Sequence, residues 1–203
     1  VFGQVVILLL IQIGGLGVVT VAVSVFMLSG RKISLMQRST MQNAISAHKV
    51  GGIVRLTKFI LKGTLFVEMA GALALLPVFY HDFGRKGIWM AVFHSISAFC
   101  NAGFDILGTP TNPFPSITAY AGNPIVNVVI MFLIIAGGIG FLTWEDICIN
   151  KIHFRKYHMQ SKIIFVTTAL LIVLPAVFFF FSDFTHLSVG KRLLASADRK
   201  STR

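Results

Sequence analysis

The chain has 203 residues, 55% of them apolar and only 12% charged, with 18 basic side chains against 7 acidic ones for a net charge of +11. A soluble domain carries about 25% charged residues, so composition argues against a water-soluble globular fold. The excess cations stand in short loops between apolar runs, a placement that belongs to membrane topology rather than to nucleic-acid binding, and no nucleic-acid partner is expected.

The first predicted element is the apolar run 2–28, part of a thirty-residue stretch without a charge. It exceeds the roughly 20 residues that a helix needs to cross a hydrocarbon core. The sequence begins at Val1, within this uncharged stretch and not at a Met, so it reads as a piece of a longer chain. A second span covers about 55–80 and is interrupted by Lys58, Lys62 and Glu68. A shorter apolar stretch, 88–100 ("IWMAVFHSISAFC"), follows. At 1.5 Å per residue it reaches only about 20 Å, so it is predicted to enter the membrane as a half-helix and turn back. The third span covers about 124–144 and continues as helix to about 149. The fourth covers about 162–182.

The first and third spans share a repeat. "QIGGLGVVT" at 12–20 matches "IAGGIGFLT" at 135–143, and residues 1–20 laid over 124–143 without a gap agree at nine of twenty positions. Apolar bias explains the matched Val and Ile, but not GGxGxxT in one phase. An internal repeat is the reading. Gly14, Gly15 and Gly17, with their copies Gly137, Gly138 and Gly140, serve either close helix packing or a helix bend.

Loop charge sets the orientation. Arg31, Lys32, Arg38, Lys49, Arg55, Lys58 and Lys62 occupy 29–62 without an acid, which places that loop in the cytoplasm. The connection 81–123 balances Arg85 and Lys86 against Asp82 and Asp105 and faces out; 145–162, with Lys151, Arg155, Lys156 and Lys162, returns inside. The tail should then lie outside, yet it holds Lys191, Arg192, Arg199, Lys200 and Arg203 and breaks the rule. The order helix, half-helix, helix is that of a potassium-channel pore module, and the fold expected is an all-α membrane protein built from such repeated modules.

The turn after the half-helix reads "SAFCNAGFDILG", 97–108. A filter replaces the water around a potassium ion with backbone carbonyl oxygens. Glycine permits the backbone angles that aim them. Asn101, Ala102, Gly103 and Phe104 are the candidate filter residues, with potassium at the carbonyls near Gly103. The negative end of the half-helix points at the cation. Asp105 stands at the outer mouth, where its carboxylate concentrates cations.

These segments resemble the membrane subunit of the Trk/Ktr/HKT superfamily of potassium transporters, closest to the bacterial Ktr type. "FHSISAFCNAGFD" is similar to that family's second filter region, "IQIGGLG" and "AGGIGFLTWEDI" to the second helices of its first two repeats, and "GKRLLAS" to the start of its third pore helix. The resemblance implies four repeats around one pore. Residues 1–28 then form the truncated second helix of repeat one, and 29–54 a cytoplasmic linker. Residues 55–149 form a complete repeat two: first helix 55–80, pore helix 88–100, filter 101–105 and second helix 124–149. Residues 150–161 are a second linker, and 162–203 the start of repeat three with an aberrant end after Ser196. It further implies potassium uptake, sodium as a coupling ion, a homodimer in the lipid bilayer of the cell membrane, and a cytosolic nucleotide-binding ring that gates the pore. No covalent cofactor is implied. The residues alone leave two alternatives open: a pore for sodium or monovalent cations in general, and a non-conducting membrane scaffold or sensor.

The remaining candidates have plainer readings. Glu68, a carboxylate near mid-membrane, is a functional candidate by default, but pairing with a base on a neighbouring helix is favoured. Arg55, Lys58 and Lys62 extend towards headgroups. His94 and Ser95 are packing residues with satisfied hydrogen bonds, and Trp89 is an interfacial anchor. Pro77 and Pro175 kink equivalent first helices. Glu145 and Asp146 lie at the inner headgroups. Cys100 and Cys148 form no framework, and no metal or nucleotide motif appears, so no enzyme is expected.

Overall fold

A computed structural model describes residues 2–17, 20, 21, 24, 25, 53–108, 116–151 and 153–182. Among them all regular structure is helical. The α-helices are α1 (Phe2–Leu16), α2 (Ile53–Phe83), α3 (Arg85–Phe99), α4 (Pro124–Gly138), α5 (Phe141–Asn150) and α6 (Met159–Ser182), with 3₁₀ turns at Ile117–Tyr120 and Phe154–Lys156. The greater part of the linker 29–54, the tail beyond 182 and most of the second half of the first span lie outside the described residues.

The core is a packed trio of α2, α3 and α4. Ile60, Thr64, Glu68, Ala72, Leu75 and Phe79 are buried on α2 at intervals of three and four, the period of one helix face. Leu75 and Phe79 meet Ala91 of α3 and Val126 and Ile130 of α4; nearer the end of α3, Phe99 meets Leu133 and Ala136. The opposite face of α2 exposes Leu65, Phe66, Met69 and Leu73. In a bilayer that exposure carries no penalty, because lipid tails are as apolar as leucine. Two helical stretches, Arg55–Phe83 and Met159–Phe178, are long and apolar enough to cross a membrane.

Several boundaries differ from expectation. α2 starts two residues before 55 and ends three after 80, and both α2 and α6 continue through their prolines, Pro77 and Pro175. The half-helix begins at Arg85 instead of 88, because Gly84 at φ 58° turns the chain directly from α2 into α3. The start of α4 is fixed by Asn123, whose Oδ1 accepts from the amides of Ile125 and Val126 at 3.1 and 3.4 Å while Pro124 fills the first helical position.

The larger correction concerns the span 124–149. It is not one helix: α4 and α5 meet at 96°. Gly140 has φ 81° and ψ 152°, a conformation reserved for glycine. Asp146 is corrected as well: it is buried, 3% exposed, and its carboxylate is taken up by protein donors instead of standing open to headgroups. It accepts from the His158 amide at 2.9 Å, the Ser161 hydroxyl at 2.6 Å and the Asn150 amide at 3.2 Å. It thereby places a carboxylate at the first turn of α6, where the helix dipole favours one.

Candidate ion-filter site

α3 ends on an asparagine. The amide of Asn101 donates to the carbonyl of Ala98 at 3.1 Å, and the amide of Ala102 reaches back to Ser97 at 2.9 Å. Asn101 itself has φ 54°. This is the paired-bond helix ending that glycine usually makes and asparagine tolerates. Asn101 is therefore the residue that stops the half-helix as well as the first residue of the turn.

Two side chains then fix the turn. The Asn101 Nδ2 donates to the carbonyl of Phe99 at 3.4 Å and across to the carbonyl of Ile134 on α4 at 3.3 Å. The Ser97 hydroxyl donates to the carbonyl of Phe104 at 2.7 Å, drawing the far side of the turn back onto α3. Between these ties Gly103 has φ 72°, and a Cβ there would meet nothing within 4 Å. Its glycine is demanded by the backbone angle, not by space. Among the described residues none donates to the carbonyls of Asn101, Ala102 or Gly103, whereas one lone pair of the Phe104 carbonyl is taken by Ser97. Asp105 accepts from the amide of Leu107 at 3.2 Å, a local turn that orients its carboxylate.

The repeated glycines stand on two sides of this end of α3 and divide their roles. A Cβ on Gly15 would overlap the Cys100 side chain, and one on Gly137 would overlap the Phe99 carbonyl oxygen. Those two positions serve packing. Gly17 and Gly140, at φ 80° and 81°, end their helices in the left-handed region. Gly14 meets nothing within 4 Å, and Gly138 only the Asn101 amide at its limit.

Residues 101–105 also wall a cavity of about 360 Å³ with His94 and Ser97, facing Ile130 and Ile134 of α4. His94 is buried and its Nδ1 bonds to the Met90 carbonyl at 2.7 Å, but its Nε2 has no partner among the described residues. The expectation of a satisfied histidine is met by half. Ser95 is satisfied, donating to the Glu68 main-chain carbonyl at 2.7 Å. Among the described residues Glu68 pairs with no base; the Gln12 amide donates to its two oxygens at 3.0 and 3.1 Å instead. Trp89 donates to Gln4 at 3.0 Å, so its indole N–H is satisfied by α1.

Sequence reasoning passed over Gln4, Gln12 and Ser97. The signal was present for the glutamines, which are the two amides in thirty charge-free residues.

Comparison with known proteins identifies the family. Residues 1–195 match the TrkH family, described as cation transport protein. The potassium/sodium uptake protein NtpJ of Enterococcus hirae is 37% identical over 190 residues, covering 93% of this chain and 41% of that protein. The Ktr system potassium uptake protein B of Bacillus subtilis is 36% identical over 203 residues, covering 97% and 44%. Its namesake from Vibrio alginolyticus is 31% identical over 182 residues, covering 87% and 38%. The chain thus spans about four-tenths of the length of these curated relatives. It belongs to the TrkH family of cation transport proteins, and is an all-helical protein of the cell membrane rather than an enzyme.

Proposed function

We propose that the chain forms part of the pore of a potassium-uptake system, binding the ion at the main-chain oxygens of Asn101, Ala102 and Gly103, with the second lone pair of Phe104 behind them. One observation carries the reading: three successive carbonyls that have no donor among the described residues stand in a turn that is pinned at both ends. Backbone oxygens with no hydrogen-bond partner are costly inside a membrane unless they line a path or meet a cation. Asp105 supplies negative charge at the outer mouth.

In this reading α1 is the second helix of one unit, 55–149 is a complete unit and α6 opens the next. Each unit contributes one filter segment, so this chain alone does not conduct. The homodimer and the cytosolic nucleotide-binding ring belong to the same proposal through the family resemblance. Sodium, either as coupling ion or as cargo, is favoured by one specific observation, the potassium/sodium name of a relative 37% identical.

Rubidium and sodium flux into proteoliposomes holding the full-length protein tests the proposal. Rubidium should exceed sodium. Gly103→Ser should cut that ratio about tenfold, equivalent to about 1.4 kcal/mol of discrimination. Equal fluxes mean an unselective pore, and no flux from the intact protein means a scaffold. An unchanged ratio in Gly103→Ser removes Gly103 from the filter.

A further inference from the structure

Gln12 and Glu68 join two elements that lie far apart in sequence. Gln12 projects from α1, and its amide nitrogen reaches both oxygens of Glu68 on α2. Glu68 is only 5% exposed. The Sγ of Cys100 stands 4.0 Å from Gln12 Oε1 and 4.0 Å from Glu68 Oε1. Cys100 is the residue that separates α3 from Asn101. It is also the residue against which Gly15 packs too closely for a Cβ. The main-chain carbonyl of Glu68 meanwhile accepts from Ser95 inside α3. One residue of α2 thus touches the half-helix through its backbone and the end of that half-helix through its side chain.

The internal repeat supplies an independent observation. The partner of Gln12 in the second copy is Ile135. The polar side chain is therefore no part of the shared glycine pattern; it occurs in the copy that faces Glu68.

We propose that Glu68 is a positioning residue for the filter and that its hydrogen bond with Gln12 helps set which ion the turn at 101–103 accepts. This deepens the filter reading and rests on it. The physical argument is one of substitution between partners. A carboxylate buried at membrane depth must keep a donor. While Gln12 supplies that donor, Cys100 is left in place and Asn101 keeps its helix-ending geometry. If Gln12 is lost, the next polar hydrogen beside the carboxylate is the Cys100 thiol. A bond to it draws the end of α3 towards α2 and shifts the carbonyls that follow. A displacement too small to unfold the protein is enough to change the spacing of coordinating oxygens.

The test uses the full-length protein in proteoliposomes, with rubidium-to-sodium flux ratios normalised to protein in the membrane, and Gly103→Ser as the reference for filter damage. Gln12→Glu sets two carboxylates face to face and should lower the ratio about tenfold. The exchange Gln12→Glu with Glu68→Gln restores an amide–carboxylate bond in reverse and should recover most of that loss. Gln12→Leu, which removes the donor without adding charge, should lower the ratio too and serves if the charged variant fails to reach the membrane. If Gly103→Ser lowers the ratio while Gln12→Glu and Gln12→Leu leave it unchanged, Glu68 has no positioning role and the filter reading stands. An exchange variant no better than Gln12→Glu alone also overturns the inference. If Gly103→Ser itself changes nothing, the filter reading falls and this inference with it.

Discussion

α1 and α4 carry the same glycine pattern and end in the same way, yet they grip the half-helix differently. Both are fifteen residues long. Both are followed by a glycine near φ 80°, Gly17 and Gly140, which are equivalent in the repeat. Their close contacts are not equivalent. α1 packs through the second glycine of its pair, Gly15, against a side chain. α4 packs through the first of its pair, Gly137, against a main-chain carbonyl. The place where the helix ends is set locally, by a backbone angle that only glycine holds without cost. The glycine that does the packing is chosen by what stands opposite. A doubled glycine lets one sequence pattern serve both sides of α3.

Four glycine substitutions separate these effects. The greatest loss is expected from Gly137→Ala, because its neighbour is backbone oxygen and cannot rotate away. Overpacking of this kind costs about 3 kcal/mol or more, and thermal unfolding in detergent should show it together with loss of rubidium uptake. Next come Gly140→Ala and Gly17→Ala. Neither meets a steric neighbour within 4 Å, so only backbone strain acts, about 1–3 kcal/mol each. Similar losses at both sites would support the equivalence, and a loss at one site only would break it. In Gly140→Ala, spin labels at the exposed positions Phe132 and Ile149 should also move apart as the bend relaxes. The smallest effect is expected from Gly15→Ala, about 1–2 kcal/mol, since its clash is first with the Cys100 sulfur. Adding Cys100→Ala should recover part of it. No second substitution can do the same for Gly137, and a full rescue there would remove the distinction.

Much of this was legible in the sequence. A mainly apolar stretch of thirteen residues followed by Asn-Ala-Gly marks a helix too short to cross and a turn that needs glycine. Asn-Pro at 123–124 marks a helix start through a side-chain acceptor and a preset φ. The repeated glycines already offered a bend, but its size, 96° between α4 and α5, was hidden because hydropathy runs on through Ile139 and Gly140 and registers no dihedral angle. The partners of Asp146 come 12 and 15 residues later, and that of Glu68 56 residues earlier. Local pattern cannot choose among such distant donors. It suggested the nearest plausible chemistry, headgroups for one and a base for the other. Asn101 was read only as a member of the turn, since its φ of 54° and its reach to Ile134 are properties of the folded chain.

The right-angle elbow at Gly140 bears on how force travels along the chain. Beyond it, α5 carries Asp146, whose carboxylate holds the opening turn of α6 through two donors, the His158 amide and the Ser161 hydroxyl, and is steadied on α5 by Asn150. The connection is thus a stiff bracket and not a slack tether. Whatever tilts α6 must either turn α5 with it or pull those bonds apart, and turning α5 twists the joint at Gly140, whose backbone angles are reserved for glycine.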